Sequence, residues 1–355
     1  MKIEKLAFQI SNFNPKACQV FRSILIVPCL FAGAAFAGPQ ADSLVRSGMD
    51  LLLIEDYPGA RAEFQKVVEL DPEQPCGYFF QAASFQMEML DYETDDREKE
   101  FYAAVDRAVK KARKALAKDP RDAWANFYLG ASWFYRAAYE GKREKYWSSV
   151  QSGLKGLSAL RAAVASDSTL YDAYLGLGSY DYFRTKATQV LSKLPFIGDT
   201  REKGIAEIRL AMERGRYTRV LAKNGLVWIL MEEKKYGEAE KLAGELRTAY
   251  PGSRTFRWAP AEIAFRKKEW EKALSLSQDL LQAVWDGKPR NYYNEATIRH
   301  KVALAENALG RYAESRKECE TILGLGYDPK TKSRLHDVLD EVRDLQEKNR
   351  KQTFR

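Results

Sequence analysis

Histidine is almost missing from this chain of 355 residues, with only His300 and His336 present. Neither sits in the H-E-x-x-H spacing that holds zinc, and the chain has no serine-centred nucleophile elbow and no phosphate-cradling glycine loop. We therefore read it as non-catalytic, with no metal and no cofactor. Asp91, Glu93 and Asp95 alternate like the start of a calcium loop. However, Asp96 and Tyr102 stand where that loop needs a glycine and a bidentate glutamate, so the segment reads as a solvated hairpin tip.

Long apolar runs are lacking as well. Ile24–Phe36 is the longest, too short for the roughly 20 residues that span a bilayer. Lys2, Lys5, Lys16 and Arg22 precede it, with only Glu4 against them, and Ala35-Phe36-Ala37 closes it in an A-x-A pattern. Residues 1–37 are thus expected to be a secretory signal peptide cleaved after Ala37, which sends the chain to the periplasm. Cys29 follows Ile26-Val27-Pro28 rather than small residues, which argues against lipidation. A strong charge excess is absent too: the net +8 falls to about +5 without the leader, and only Lys348–Arg355 is locally basic. A nucleic-acid partner wants a basic stripe, so none is expected.

What the chain does have is a repeat of about 34 residues, each copy reading helix, turn, helix. In the first copy, Ala41 to Gln74, the landmarks are Leu44, Gly48, Leu51, Tyr57, Ala60, Phe64, Val67 and Pro72. Later copies carry Ala108, Ala112 and Ala115 before Pro120, then Leu129-Gly130 with Gly156, Leu160 and Ala163. Leu177-Gly178 with Gly204, Ile208 and Ala211 follow, then Tyr236, Ala239, Ala243 and Pro251. Two further copies carry Ala261, Trp270 and Ala273, and Ala303, Tyr312, Ser315, Cys319 and Ile322. Gly176-Leu177-Gly178-Ser179 looks like a dinucleotide fingerprint, yet it lies inside a first helix, where Gly178 reads as a packing residue. In the second, third and fourth copies the second-helix landmarks run about fourteen residues late. Fourteen residues make nearly four helical turns, so three adjacent elongated hairpins are predicted to cover one another.

These positions resemble the tetratricopeptide repeat (TPR) family, and Tyr171 to Phe183 resembles a segment of exported bacterial members of unknown role. The resemblance implies an all-α solenoid of about seven helical hairpins at 38–328. A capping helix follows at 329–347, where Leu335, Val338, Leu339, Val342 and Leu345 make one apolar stripe, and a basic disordered tail at 348–355. Cys76 and Cys319, several repeats apart, are then too distant for a disulfide. The family's concave face, mapped here, gives Phe79, Gln86, Trp124, Phe127, Phe134, Asp172, Tyr182, Trp228 and Trp258 as partner-binding residues. Asp172 and Asp181 are candidate acceptors for the neighbouring tyrosine hydroxyls. The function implied is a scaffold in the cell envelope that binds a protein or peptide. The runner-up is a structural subunit of an envelope or outer-membrane assembly, peripherally held through an apolar hairpin tip at Leu194, Phe196 and Ile197.

Overall fold

A computed structural model describes residues 38–188 and 198–353. The leader and the tip residues Leu194, Phe196 and Ile197 lie outside the described residues. Among those described there are sixteen helices and no strand. Fourteen follow one another as seven helix pairs: α1 (Gly38–Leu53) and α2 (Tyr57–Leu70), α3 (Cys76–Asp91) and α4 (Glu98–Leu116), α5 (Ala123–Lys142) and α6 (Tyr146–Ser166), α7 (Ala173–Thr188) and α8 (Arg201–Arg214), α9 (Arg219–Glu232) and α10 (Tyr236–Ala249), α11 (Thr255–Arg266) and α12 (Trp270–Asp286), α13 (Tyr292–Ala308) and α14 (Tyr312–Leu323). Two more, α15 (Pro329–Arg334) and α16 (His336–Thr353), end the chain. The fold class is all-α, as the repeat period implies.

Local chemistry explains where the helices begin and turn. Asp56 accepts the Gly59 N–H at 3.0 Å with Pro58 in the first turn of α2, and Asp122 accepts the Trp124 and Ala125 N–H groups at the start of α5. These caps satisfy amides that have no partner within the helix. The turn inside five pairs carries one left-handed residue two positions before the second helix: Glu55, Glu144, Lys234, Lys268 and Gly310. That recurrence lets the chain reverse in a few residues.

The chain divides into two compact units. The first runs up to Met89 and over Asp95–Glu232; the second comprises Leu90–Thr94 and the chain from Glu233 onward. In the first, α5 packs on α6 and α7 on α8. At each crossing a glycine of one helix faces a glycine of the other. A Cβ on Gly130 or Gly156 would lie 2.9 Å from the other's carbonyl oxygen, and on Gly178 or Gly204 2.5 Å. Gly178 is thus a helix-packing residue. The core of this unit is aromatic: Phe64 stacks on Phe80 at 5.1 Å, Phe79 meets Tyr135 edge-on at 5.2 Å, and Phe101 meets Tyr139 at 5.0 Å.

In the second unit, Leu335, Leu339, Val342 and Leu345 pack on Ala296, Ala303, Cys319 and Ile322. Cys76 and Cys319 are free, buried thiols.

Several expectations are corrected. The added length falls on α4, α5 and α6, with 19, 20 and 21 residues, while α3 has 16; the tip of the fourth pair lies outside the described residues. Part of the second copy's excess forms the connection between Asp91 and Glu98 instead of helix. The single capping helix is two, broken at Leu335, and the supposed disordered tail continues α16 to Thr353. Asn349 explains why: it is fully buried, accepts from Asn307 and donates to Ser315 Oγ at 2.8 Å. The hairpin tip is also not simply solvated. Asp91 pairs with Arg254, Glu93 with Arg334 and Asp95 with Arg143, so each carboxylate already has a guanidinium partner.

Candidate functional site

The first helices of the first unit carry most of the sequence-predicted face. Asp122 fixes the start of α5 and with it Trp124, whose ring meets Phe127 edge-on at 6.0 Å. Phe127 in turn meets Phe79 of α3 at 6.4 Å. The three rings form a ladder from interior to surface. Phe79 and Phe127 are wholly buried, whereas Trp124 and Phe134 are partly exposed. Phe134 lies over the glycine crossing, 3.2 Å from where a Gly156 Cβ would be. Trp228 of α9 is partly exposed as well.

Five of the predicted contact residues are interior. Besides Phe79 and Phe127, these are Gln86, Asp172 and Tyr182. Gln86 donates to the Tyr135 carbonyl at 2.9 Å and so joins α3 to α5. Tyr182 packs edge-on against Phe183 at 5.0 Å, with the Lys186 ammonium 5.6 Å from its ring. Asp172 does not serve the tyrosine hydroxyls. It accepts from the backbone N–H groups of Arg216, Tyr217 and Thr218 and from the Thr218 hydroxyl, all within 2.9–3.0 Å. It therefore clamps the connection between α8 and α9. Burial pushes its carboxyl up to about 6, against the opposing pull of those N–H donors. Asp181 pairs with Lys203 at 2.5 Å. The repeat register assigns these positions to one face, but packing within the unit covers that face here, and for Asp172 the cover is the connection between α8 and α9.

Trp258 belongs to the second unit, where it packs on Leu280, Leu281, Val284 and Ile298 and stays partly exposed. Both histidines are in this unit. His300 is buried, and its ring is held down at about 4 by loss of solvent and then by Lys301. His336 is exposed beside Asp337 and Asp340.

The sequence reading passed over a different surface. Trp147, Val150 and Leu154 on α6 are 61%, 48% and 53% exposed, and no other helix among the described residues carries as many exposed large apolar side chains. The signal was available, since α6 has apolar residues on two sides and no Asp or Glu from Tyr146 to Ser166.

No family model matches the chain, and no curated protein matches it significantly. Solved structures do match. The structure of the APC/C hetero-tetramer Cut9-Hcn1 superposes with a TM-score of 0.53 at 14% identity, over 90% of this chain and 57% of that one. TTC0263, a thermophilic TPR protein of Thermus thermophilus, gives 0.40 at 16% identity, covering 63% of this chain and 98% of that one. A tetratricopeptide repeat protein of Parabacteroides merdae gives 0.41 at 12% identity, covering 86% and 100%. At such identities the likeness is one of fold. The resemblance to the TPR family therefore rests on the helix pairs and the glycine crossings, with the fold of Cut9-Hcn1 beside them.

Proposed function

We propose that this chain is a non-catalytic scaffold, exported to the cell envelope, that binds a protein or peptide through the partly exposed aromatic residues of its first helices. The observation that supports it is the ring ladder at α5. Phe79 and Phe127, both buried, back the Trp124 ring at a capped helix start, where it is partly exposed. An aromatic ring held ready in this way loses little rotamer freedom when a partner covers it. Trp124, Phe134 and Trp228 are the contacts in the first unit and Trp258 in the second, while the buried residues of the predicted face position them.

The burial of one histidine and of both thiols favours a scaffold over an enzyme. His300 is buried and neutral near pH 7, and the two thiols are buried. The leader at 1–37 supports export.

The test is photocrosslinking in living cells from a probe at position 124 or 134, with the exposed Lys241 position as control. We expect the same partner from both aromatic positions, none from 241, and loss of that partner in Trp124→Ala with Phe134→Ala. Retention of the partner by this folded double variant would overturn the reading. Export is tested separately by fusing residues 1–60 to a phosphatase that is active only outside the cytoplasm; an inactive fusion would remove the envelope from the proposal.

A further inference from the structure

We propose that the outward face of α6 docks on an anionic lipid bilayer, which Trp147, Val150 and Leu154 enter at headgroup depth while neighbouring cations hold the phosphates. This goes beyond the protein-binding reading and uses none of its residues.

The geometry begins with a helix that is apolar on two sides and packed on one. Gly156, Leu157, Leu160 and Ala163 are buried in the unit. Ser149 donates to the Ala137 carbonyl at 2.8 Å and Ser152 to Glu140 at 2.7 Å, which fixes the rotation of α6 against α5. With that rotation set, Trp147, Val150 and Leu154 fall on successive turns of the opposite face and stand in solvent. The stripe is a ridge about 10 Å long, from the helical rise. A ridge carrying tryptophan enters a headgroup layer readily.

Charge decides what the ridge meets. From Lys145 to Ser166 there is no acidic residue. Next to Leu154, Lys155 lies 4.6 Å from the Trp133 ring centroid, and Arg113 of α4 approaches the same ring at 5.9 Å. Trp133 thus joins the outward side of α4 to that of α6. Arg113 and Lys155 have no ion pair among the described residues, and Asp106, the acid on that side of α4, is already paired with Arg136. Uncompensated cations beside an exposed apolar stripe repel a basic partner and complement a layer of lipid phosphates. Long lysine and arginine stems let those charges stay at the phosphates while the ridge goes deeper. Docking is peripheral: no helix among the described residues is long and apolar enough to cross a membrane.

The experiment is co-sedimentation of the chain from Gly38 onward with vesicles of phosphatidylglycerol and phosphatidylcholine in equal parts, and with phosphatidylcholine alone. We expect binding to the mixed vesicles only, falling as salt rises. Trp147→Glu with Leu154→Glu should abolish it. Arg113→Glu with Lys155→Glu should weaken it about fivefold or more per charge removed. All four residues face solvent, so circular dichroism should match wild type, and the crosslink from position 124 should persist in both variants. Absence of binding to mixed vesicles, or binding indifferent to either pair, overturns the proposal. So does a wild-type dimer that Trp147→Glu with Leu154→Glu converts to monomer, because the ridge would then be a contact between two copies.

Discussion

Gly178 leaves no room for a methyl group. A Cβ there would sit 2.5 Å from the Gly204 carbonyl oxygen and 2.8 Å from Ile208, so Gly178→Ala must push α7 and α8 apart. We expect a loss of about 2 kcal/mol in urea unfolding, the usual scale for overpacking. Gly244, in the middle of α10, has nothing within 4 Å of its added Cβ, and Gly244→Ala should gain about 0.5–1 kcal/mol from helix propensity. Equal signs for the two substitutions would refute the packing role. Glu306 makes a second argument at this scale. Its side chain is buried, one carboxylate oxygen has no hydrogen-bond partner, and Glu318 and Glu314 oppose its charge more than Arg311 relieves it. Burial first, and those two glutamates next, raise the carboxyl from 4.5 to about 7. A raised acid favours the protonated folded state, so its contribution is complete below about pH 4.5 and is lost as pH rises through about 7. Glu306→Gln should therefore be more stable than wild type at pH 8, by about 2 kcal/mol, and nearly equal to it at pH 5. Parallel stability curves for the two proteins would show that this carboxyl does not titrate in the window.

Elements were legible where a helix repeats its own pattern. Pro329, Leu335, Leu339, Val342 and Leu345 announced a closing helix, and that stripe does cover Cys319 and Ile322. The continuation to Thr353 was not legible, because Lys348–Arg355 looks like a solvated tail; Asn349 bonds to Asn307 and Ser315 of other helices, and such contacts leave no local trace. Burial raises the Cys319 thiol to about 11, which keeps it from forming the reactive thiolate. Ending the chain after Gly326 should uncover it. We expect its labelling by a disulfide reagent, located by mass spectrometry, to speed up by a factor of about ten or more while Cys76 stays protected. An unchanged rate at Cys319 would mean that α15 and α16 do not shield it.

For the whole molecule, the net charge of +8 looked like a mild excess spread along the chain. The first unit gathers part of it, since Arg113 and Lys155 lie far apart in sequence yet meet over Trp133. The same gathering makes the bilayer and crosslinking experiments independent: one reads α6 and α4, the other the starts of the first helices. The division into two units was likewise invisible in a repeat that continues in register from one to the other.

By itself the sequence determined the helix pairs, their turns and the helix-packing role of Gly178. A period near 3.6 residues and a small residue at a crossing are properties of single helices and of neighbours in the chain. Only the tertiary structure decided which aromatic residues meet solvent. Phe79, Phe127 and Tyr182 share their register with Trp124 and Phe134, and Leu154 occupies a helix as apolar as its buried neighbour Leu157, yet their exposures differ. Exposure depends on which other helix lies over a face, and that is set by packing between repeats rather than by the periodicity within one.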